Sequence, residues 1–286
     1  LVAGCSMYLF NKISESPTIY FQKISHFIPI LMLLSFFNWG LEFLKWKLLV
    51  TTETNINIKE AAQQCLIAHT AGIVTPNKIG EYGAKAFLFK DKNPKKIMLL
   101  NGIANGYQMI VTLLFGLIGI LYCWEHWIQL PFELPWIPIL IGGLVVFLCL
   151  IYKTGWVKKI LCKLNAIATN THLKTLGLST LRYLLFSSQF LVLLVLLANV
   201  NDYYKAYALI WVLYLSSSLI PSFALVEFTV KGSLALHLFT SLQISATSIV
   251  ATIFLMWTFN YALPALVGIF YTLQYKSTQR YGTAID

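Results

Sequence analysis

The stretches HTAGIVTPNKIGEYGAKAFLF (69–89) and SSSLIPSFALVEFTVKGSLALHLF (216–239) decide how the rest of the chain is read. Each is apolar, each is broken by a proline (Pro76, Pro221), and each then places a glutamate four residues before a lysine: Glu81 with Lys85, and Glu227 with Lys231. Ionisable side chains are costly in hydrocarbon, so their presence in broken apolar segments points to a site. Matched interruptions in the two halves of a membrane chain also point to a transporter-type binding region.

The surrounding composition is that of a multi-pass membrane protein. Of 286 residues, 58% are hydrophobic and 11% charged, with a mean hydropathy of +0.70; soluble domains carry roughly 25% charged residues. Tyr122, Trp124, Trp127 and Trp136 crowd one expected membrane end, where amphipathic rings are favoured. The net charge of +10 comes from basic residues in short loops beside apolar spans. There they orient the chain and attract anionic headgroups, so nucleic acid is not the expected partner. The five cysteines, Cys5, Cys65, Cys123, Cys149 and Cys162, stand singly and form no metal or disulfide pattern. The opening LVAGCSMYLF reads as the tail of a longer apolar segment, and a further helix is expected before it.

Working outward, residues 27–49 form a full span ending in Lys45 and Lys47. After the polar linker TTETNINIKE come two half-length pieces, 60–74 and 78–89, that read as a re-entrant hairpin. A span at 97–122 follows, with Gly102, Gly106, Gly116 and Gly119 expected to allow close helix approach. A single span at 136–152 and a basic stretch to 174, expected to hold a short interfacial helix, lead to a second copy of the order. That copy has a span at 176–198, half-length pieces at 203–219 and 222–239, and a span at 241–258, with a last apolar segment at 261–275. The fold class expected is all-α, one transmembrane domain over 1–286. Its parts are repeat one at 27–122, a connector at 123–175 and repeat two at 176–258.

Because each unit crosses twice with one span between, the second unit enters upside down. Loops 90–96 and 153–174 are Lys-rich and fall on one side, expected to be cytoplasmic; loops 123–135 and 199–204 fall on the other and lack Lys and Arg. Lys276 and Arg280 run against this scheme, since a separate final segment would put them outside.

The candidate substrate-binding residues are Pro76, Lys78, Glu81, Lys85, Asn101, Asn105, Arg182, Pro221, Glu227 and Lys231. The Glu–Lys spacing puts opposite charges on one helical face. Either each pair neutralises itself and fastens its hairpin, or the pairs line a polar cavity where lysine reaches an anionic headgroup. A proline at the start of each second arm would aim free backbone donors and the positive end of the helix dipole at the membrane middle, which suits phosphate. Asn101, Asn105 and Gln108, with Ser187, Ser188 and Gln189, read as interhelical glue. Arg182 either snorkels to the interface or grips a phosphodiester. His69 and His237 have no ligand-spaced partners, so no metal or cofactor is expected, and no Walker, Rossmann, GxSxG or HExxH pattern nominates an enzyme.

The run Asn38, Trp39, Glu42, Lys45, Trp46 and Lys47, followed by a short helix and TPNKIGEYGAKAFLF, resembles the transmembrane region of the lysylphosphatidylglycerol synthase family. Pro76, Gly80, Glu81 and Lys85 fall on that family's hairpin break, and Pro221, Glu227 and Lys231 match a second copy. Asn77 and Lys78 stand where glycines are usual, and no soluble synthase domain follows in this sequence. The resemblance implies a flippase-like function at the plasma membrane, on an anionic phospholipid or another lipid-linked amphiphile. The alternatives are a non-transporting partner of an envelope or glycosyl-transfer enzyme and a membrane-embedded, lipid-dependent transferase. Partners expected are membrane lipids, with a second copy or an envelope enzyme as further candidates.

Overall fold

A computed structural model describes residues 27–89, 91–125, 164, 167–220 and 224–282. Their regular structure is helical: α1 (Ile28–Val50), α2 (Ile58–Ile73), α3 (Ile79–Leu88), α4 (Pro94–Glu125), α5 (Thr169–Ala198), α6 (Tyr203–Ser218), α7 (Ala224–Leu238), α8 (Ala246–Trp257) and α9 (Leu263–Gly282). Among the described residues, four stretches are long and apolar enough to cross a membrane: α1, α4, α5 and the continuous run Ala246–Tyr275. The protein is an all-α, multi-pass membrane protein. The expected span at 136–152, and Pro221, lie outside the described residues.

The long helices are built inside out relative to those of a soluble protein. On α1, Ser35, Asn38, Glu42 and Lys45 recur every three or four residues and are buried, whereas Met32, Leu33, Phe36 and Phe37 face outward. On α5, Thr175, Ser179, Tyr183 and Ser187 form a matching buried stripe. Helical spacing puts each polar set on one face. With lipid outside, that face gains by turning inward, and on α1 its groups find partners there: Ser35 on the Phe259 carbonyl, Asn38 on Asn260 and Glu42 beside Arg182. The two stripes meet with the helices antiparallel: Leu31 lies beside Gln189, Glu42 beside Arg182, and Thr51 shares a groove with Thr171. Helix α4 runs parallel to α5, with Tyr107 on His172 and Phe115 stacked on Tyr183.

The short helices α2 and α6 start at polar caps. Asn57 and Glu60 form a reciprocal capping box at α2, and the Asp202 carboxylate accepts the Lys205 amide at α6. Between α2 and α3 the chain turns through a 3₁₀ segment, Pro76–Lys78, in which Asn77 (φ 50°) and Lys78 (φ 57°) are left-handed. Glycine adopts this backbone at little cost, whereas lysine rarely does. The turn therefore keeps a glycine-type conformation without glycine. Gly80 makes it compact, because a Cβ there would lie 2.2 Å from the Ala71 carbonyl oxygen.

One expectation is corrected at the C-terminal end. Residues 241–258 and 261–275 are not two segments: α8 and α9 join through a π-helical turn, Thr258–Ala262, into one crossing. The sequence TFNYALP contains no residue that reverses the chain, and the wide turn absorbs Pro264. Helix α9 runs antiparallel to α2, with Tyr261 against His69, Ala265 against Thr70 and Gly268 against Leu66. Positions 276 and 280 are thereby carried toward the end where α2 begins, the side of the Lys-rich loop 90–96. Helix α5 also begins earlier than expected, at Thr169.

Close helix approach occurs at only some of the expected glycines. A Cβ on Gly116 would meet Leu215, and one on Gly119 would lie 2.6 Å from the Ala208 carbonyl, whereas Gly106 faces open space and Gly102 only touches Tyr82. On α9, a Cβ at Gly268 would lie 2.2 Å from both the Leu66 carbonyl and the Thr70 hydroxyl. Gly268→Ala is therefore expected to cost about 1–3 kcal/mol through forced separation of α2 and α9. Gly106→Ala should be neutral or stabilising by up to about 1 kcal/mol, both read as melting midpoints of the detergent-solubilised protein.

Candidate functional site

Between the two halves lies a cavity of about 420 Å³. Of the residues singled out in the sequence, Lys78, Glu81, Lys85, Asn105, Arg182 and Glu227 line it. Lys231 stands behind Glu227 in an ion pair, and Asn101 is buried behind Lys85. Pro76 opens the 3₁₀ turn and is exposed.

The second expected Glu–Lys pair forms, and the first does not. Lys231 Nζ binds Glu227 Oε1, while Tyr261 Oη donates to Glu227 Oε2 at 2.8 Å. Lys85 instead donates to Asn101 Oδ1 at 2.7 Å and lies over Trp46, 4.0 Å from the ring centroid. Glu81 turns to His69, with Oε1 3.9 Å from Nδ1. The reason lies in packing: Lys85 is buried against α4 and α1, whereas Glu81 sits against Gly72 on α2. Lys78 lies 4.4 Å from the centre of the Tyr261 ring.

Arg182 neither snorkels outward nor stands open. Its Nη1 is 2.8 Å from Glu42 Oε2, which is also 2.7 Å from Lys45 Nζ, so one carboxylate holds two cations. Arg182 Nε donates to Asn38 Oδ1 at 3.1 Å, Asn38 Nδ2 to Asn260 Oδ1 at 2.9 Å, and Asn260 Nδ2 to Gln189 Oε1 at 2.9 Å. Gln189 Nε2 closes the chain on the Leu31 carbonyl at 3.1 Å. This network ties α1, α5 and the π-turn into one polar unit.

The π-turn is the part of the site that the sequence reading missed. Pro264 has no amide hydrogen, so either Asn260 (four residues back) or Phe259 (five back) loses its helical donor. Three successive carbonyls are taken by side chains instead: Phe259 by Ser35 Oγ at 2.6 Å, Asn260 by Trp39 Nε1 at 3.3 Å, and Tyr261 by His69 Nε2 at 3.2 Å. The available signal was an asparagine four residues before a proline within an apolar run. Glu42 was noticed only as part of a motif and His69 only as an isolated residue. The first backbone donors of the second arm are expected to be free for phosphate, and one of them, the Gly80 amide, donates instead to Thr75 Oγ1 at 2.8 Å. The glue role expected of the polar residues holds for Asn105 (to Tyr82 Oη), Gln108 (to the Ser179 carbonyl) and Ser188 (with Tyr207).

The arrangement can hold an anion: ammonium and guanidinium groups converge on a walled, partly aromatic space, and the carboxylates present are mostly committed to partners. Compared with family models, curated proteins and solved structures, the chain matches none.

Because Glu42 compensates two buried cations, Glu42→Gln should cost on the order of 3 kcal/mol or more. Glu81→Gln should cost far less, its nearest partner being a histidine at 3.9 Å. Parallel melts of the two purified variants check this contrast.

Proposed function

We propose that this protein is a flippase-like lipid transporter that admits the anionic headgroup of a membrane lipid into the cavity while the acyl chains stay in the bilayer. The observation that carries the proposal is the convergence of Lys78, Lys85 and Arg182, drawn from both halves, on one cavity inside a protein otherwise clothed in apolar side chains. A cavity of about 420 Å³ suits a headgroup and is too small for a whole lipid. Nothing in it resembles a nucleotide site, so movement would follow a gradient or an ion. The likeness to the lysylphosphatidylglycerol synthase transmembrane region supports the same activity at the motif level.

The architecture proposed with it is an inverted repeat with two re-entrant hairpins. Helices α2, α3, α6 and α7 have 16, 10, 16 and 15 residues. At 1.5 Å per residue these reach about 15–24 Å, short of a hydrocarbon core of about 30 Å. The packing supports an exchange relation: α1 pairs antiparallel with α5, α2 packs on α9, and α6 packs on α4. Glu125 and Thr169 also lie at opposite ends of the bundle, as inversion requires. The substrate side of the proposal rests on Lys85 and Arg182 in the cavity and on Lys231 controlling Glu227.

Two outcomes are expected. In sealed vesicles, impermeant maleimide should label Asp91→Cys and Asn201→Cys from opposite faces; labelling from one face would break the inverted arrangement. In vesicles holding a fluorescent phosphatidylglycerol, the wild type should accelerate exchange between leaflets, and Lys85→Ala and Lys231→Ala should each slow it about tenfold or more. Unchanged rates in both variants would remove the site, and no exchange by the wild type would favour the non-transporting partner.

A further inference from the structure

The charge count of the site specifies the headgroup more closely, and this step rests on the lipid-handling proposal above. Around the cavity stand Glu42, Glu81 and Glu227, together with Lys78, Lys85 and Arg182. Two more lysines are locked to those carboxylates: Lys45 to Glu42, and Lys231 to Glu227. Five lysine and arginine cations against three carboxylates leave a surplus of two positive charges. One unit of the surplus belongs to the cluster in which Glu42 meets both Lys45 and Arg182, and the other is what Lys78 and Lys85 leave over after Glu81, which pairs with no lysine or arginine among the described residues. Among the described residues neither Lys78 nor Lys85 makes an ion pair with a carboxylate; Lys78 rests on a tyrosine ring, and Lys85 on an amide oxygen and an indole.

Rings and amides are what a buried ammonium uses when no anion is at hand. A net charge of +2 around one cavity in a membrane protein is expensive, and an anion of matching charge relieves the cost. A phosphodiester headgroup supplies one negative charge. A phosphate monoester supplies close to two near neutral pH, since its second ionisation lies near pH 6, and it offers three strong acceptor oxygens. We infer that the cavity prefers a lipid ending in a phosphate monoester, which matches the net charge of the site, over one carrying a phosphodiester, with Lys78 and Lys85, held in no ion pair, as the cations that take hold of it.

The two lysines are suited to this in different ways. Lys78 sits on the left-handed turn between α2 and α3, where its side chain is only partly buried and can leave Tyr261. Lys85 is almost fully buried, 3% exposed, and held at a fixed point by Asn101. One lysine is placed to capture the headgroup and the other to seat it.

The test uses the full chain in detergent micelles, with binding read from the ligand-dependent shift of the melting midpoint. The probes are phosphatidic acid, phosphatidylglycerol of the same acyl chains, and inorganic phosphate. Phosphatidic acid is expected to bind about tenfold more tightly than phosphatidylglycerol, and Lys78→Gln, at a partly exposed turn that should tolerate it, is expected to bring the ratio close to one. Lys85→Gln should do the same, with Lys85→Arg restoring part of the preference. Equal binding of the two lipids by the wild type overturns the monoester preference and leaves the lipid-handling proposal standing. Binding of neither lipid overturns both. Binding of inorganic phosphate as tight as that of phosphatidic acid makes the ligand a free anion and overturns the lipid source.

Discussion

A single carboxylate buried between antiparallel helices holds the rest together. Glu42 forms ion pairs with both Lys45 and Arg182, and Arg182 begins the amide relay through Asn38 and Asn260 to Gln189. Packed between apolar helices, these groups form one connected network, and each is worth most when every partner is present. That condition fixes the rotation of α1 and α5 about their axes. It sends their polar stripes inward and their Phe, Leu and Met side chains outward. With those two helices set, α4 and the α8–α9 run are positioned by contact, and the two short helical pairs fill the spaces left.

The π-turn extends the same logic to the backbone. A proline inside a membrane helix frees a carbonyl, and hydrocarbon does not forgive a free carbonyl. Here Ser35, Trp39 and His69 reach three carbonyls in a row, the freed one among them, which pins the middle of this helical run to α1 and α2. The turn thus places Asn260 in the relay and Tyr261 beneath Lys78 and against Glu227. A local defect in one helix becomes the joint at which the two halves meet around the cavity.

Much of this was legible in the residues and some was not. The all-helical, multi-pass class followed from apolar length. Six of the ten residues singled out as a site line one cavity, because ionisable groups in apolar segments have few other places to go. What spacing alone could not give was partner choice. Glu81 and Lys85 have the same four-residue interval as Glu227 and Lys231, yet Lys85 is drawn to Asn101 and Trp46 because its helix packs on α4 and α1. Helical periodicity places two groups on one face; neighbouring helices decide whether they meet. The π-turn was hidden for a related reason. TFNYALP looks like a gap between two segments when hydropathy is averaged, and only the carbonyls it releases reveal it as a joint.

The claim that matters most is that a lipid phosphate occupies the space between Lys78, Lys85 and Arg182. A structure of the protein determined in nanodiscs doped with anionic lipid addresses it directly. The account requires headgroup density within hydrogen-bond distance of both lysines, with Lys78 lifted from the Tyr261 ring. Well-resolved side chains in their present pairings, around a cavity holding only water while lipid density lies wholly outside the helices, would contradict it.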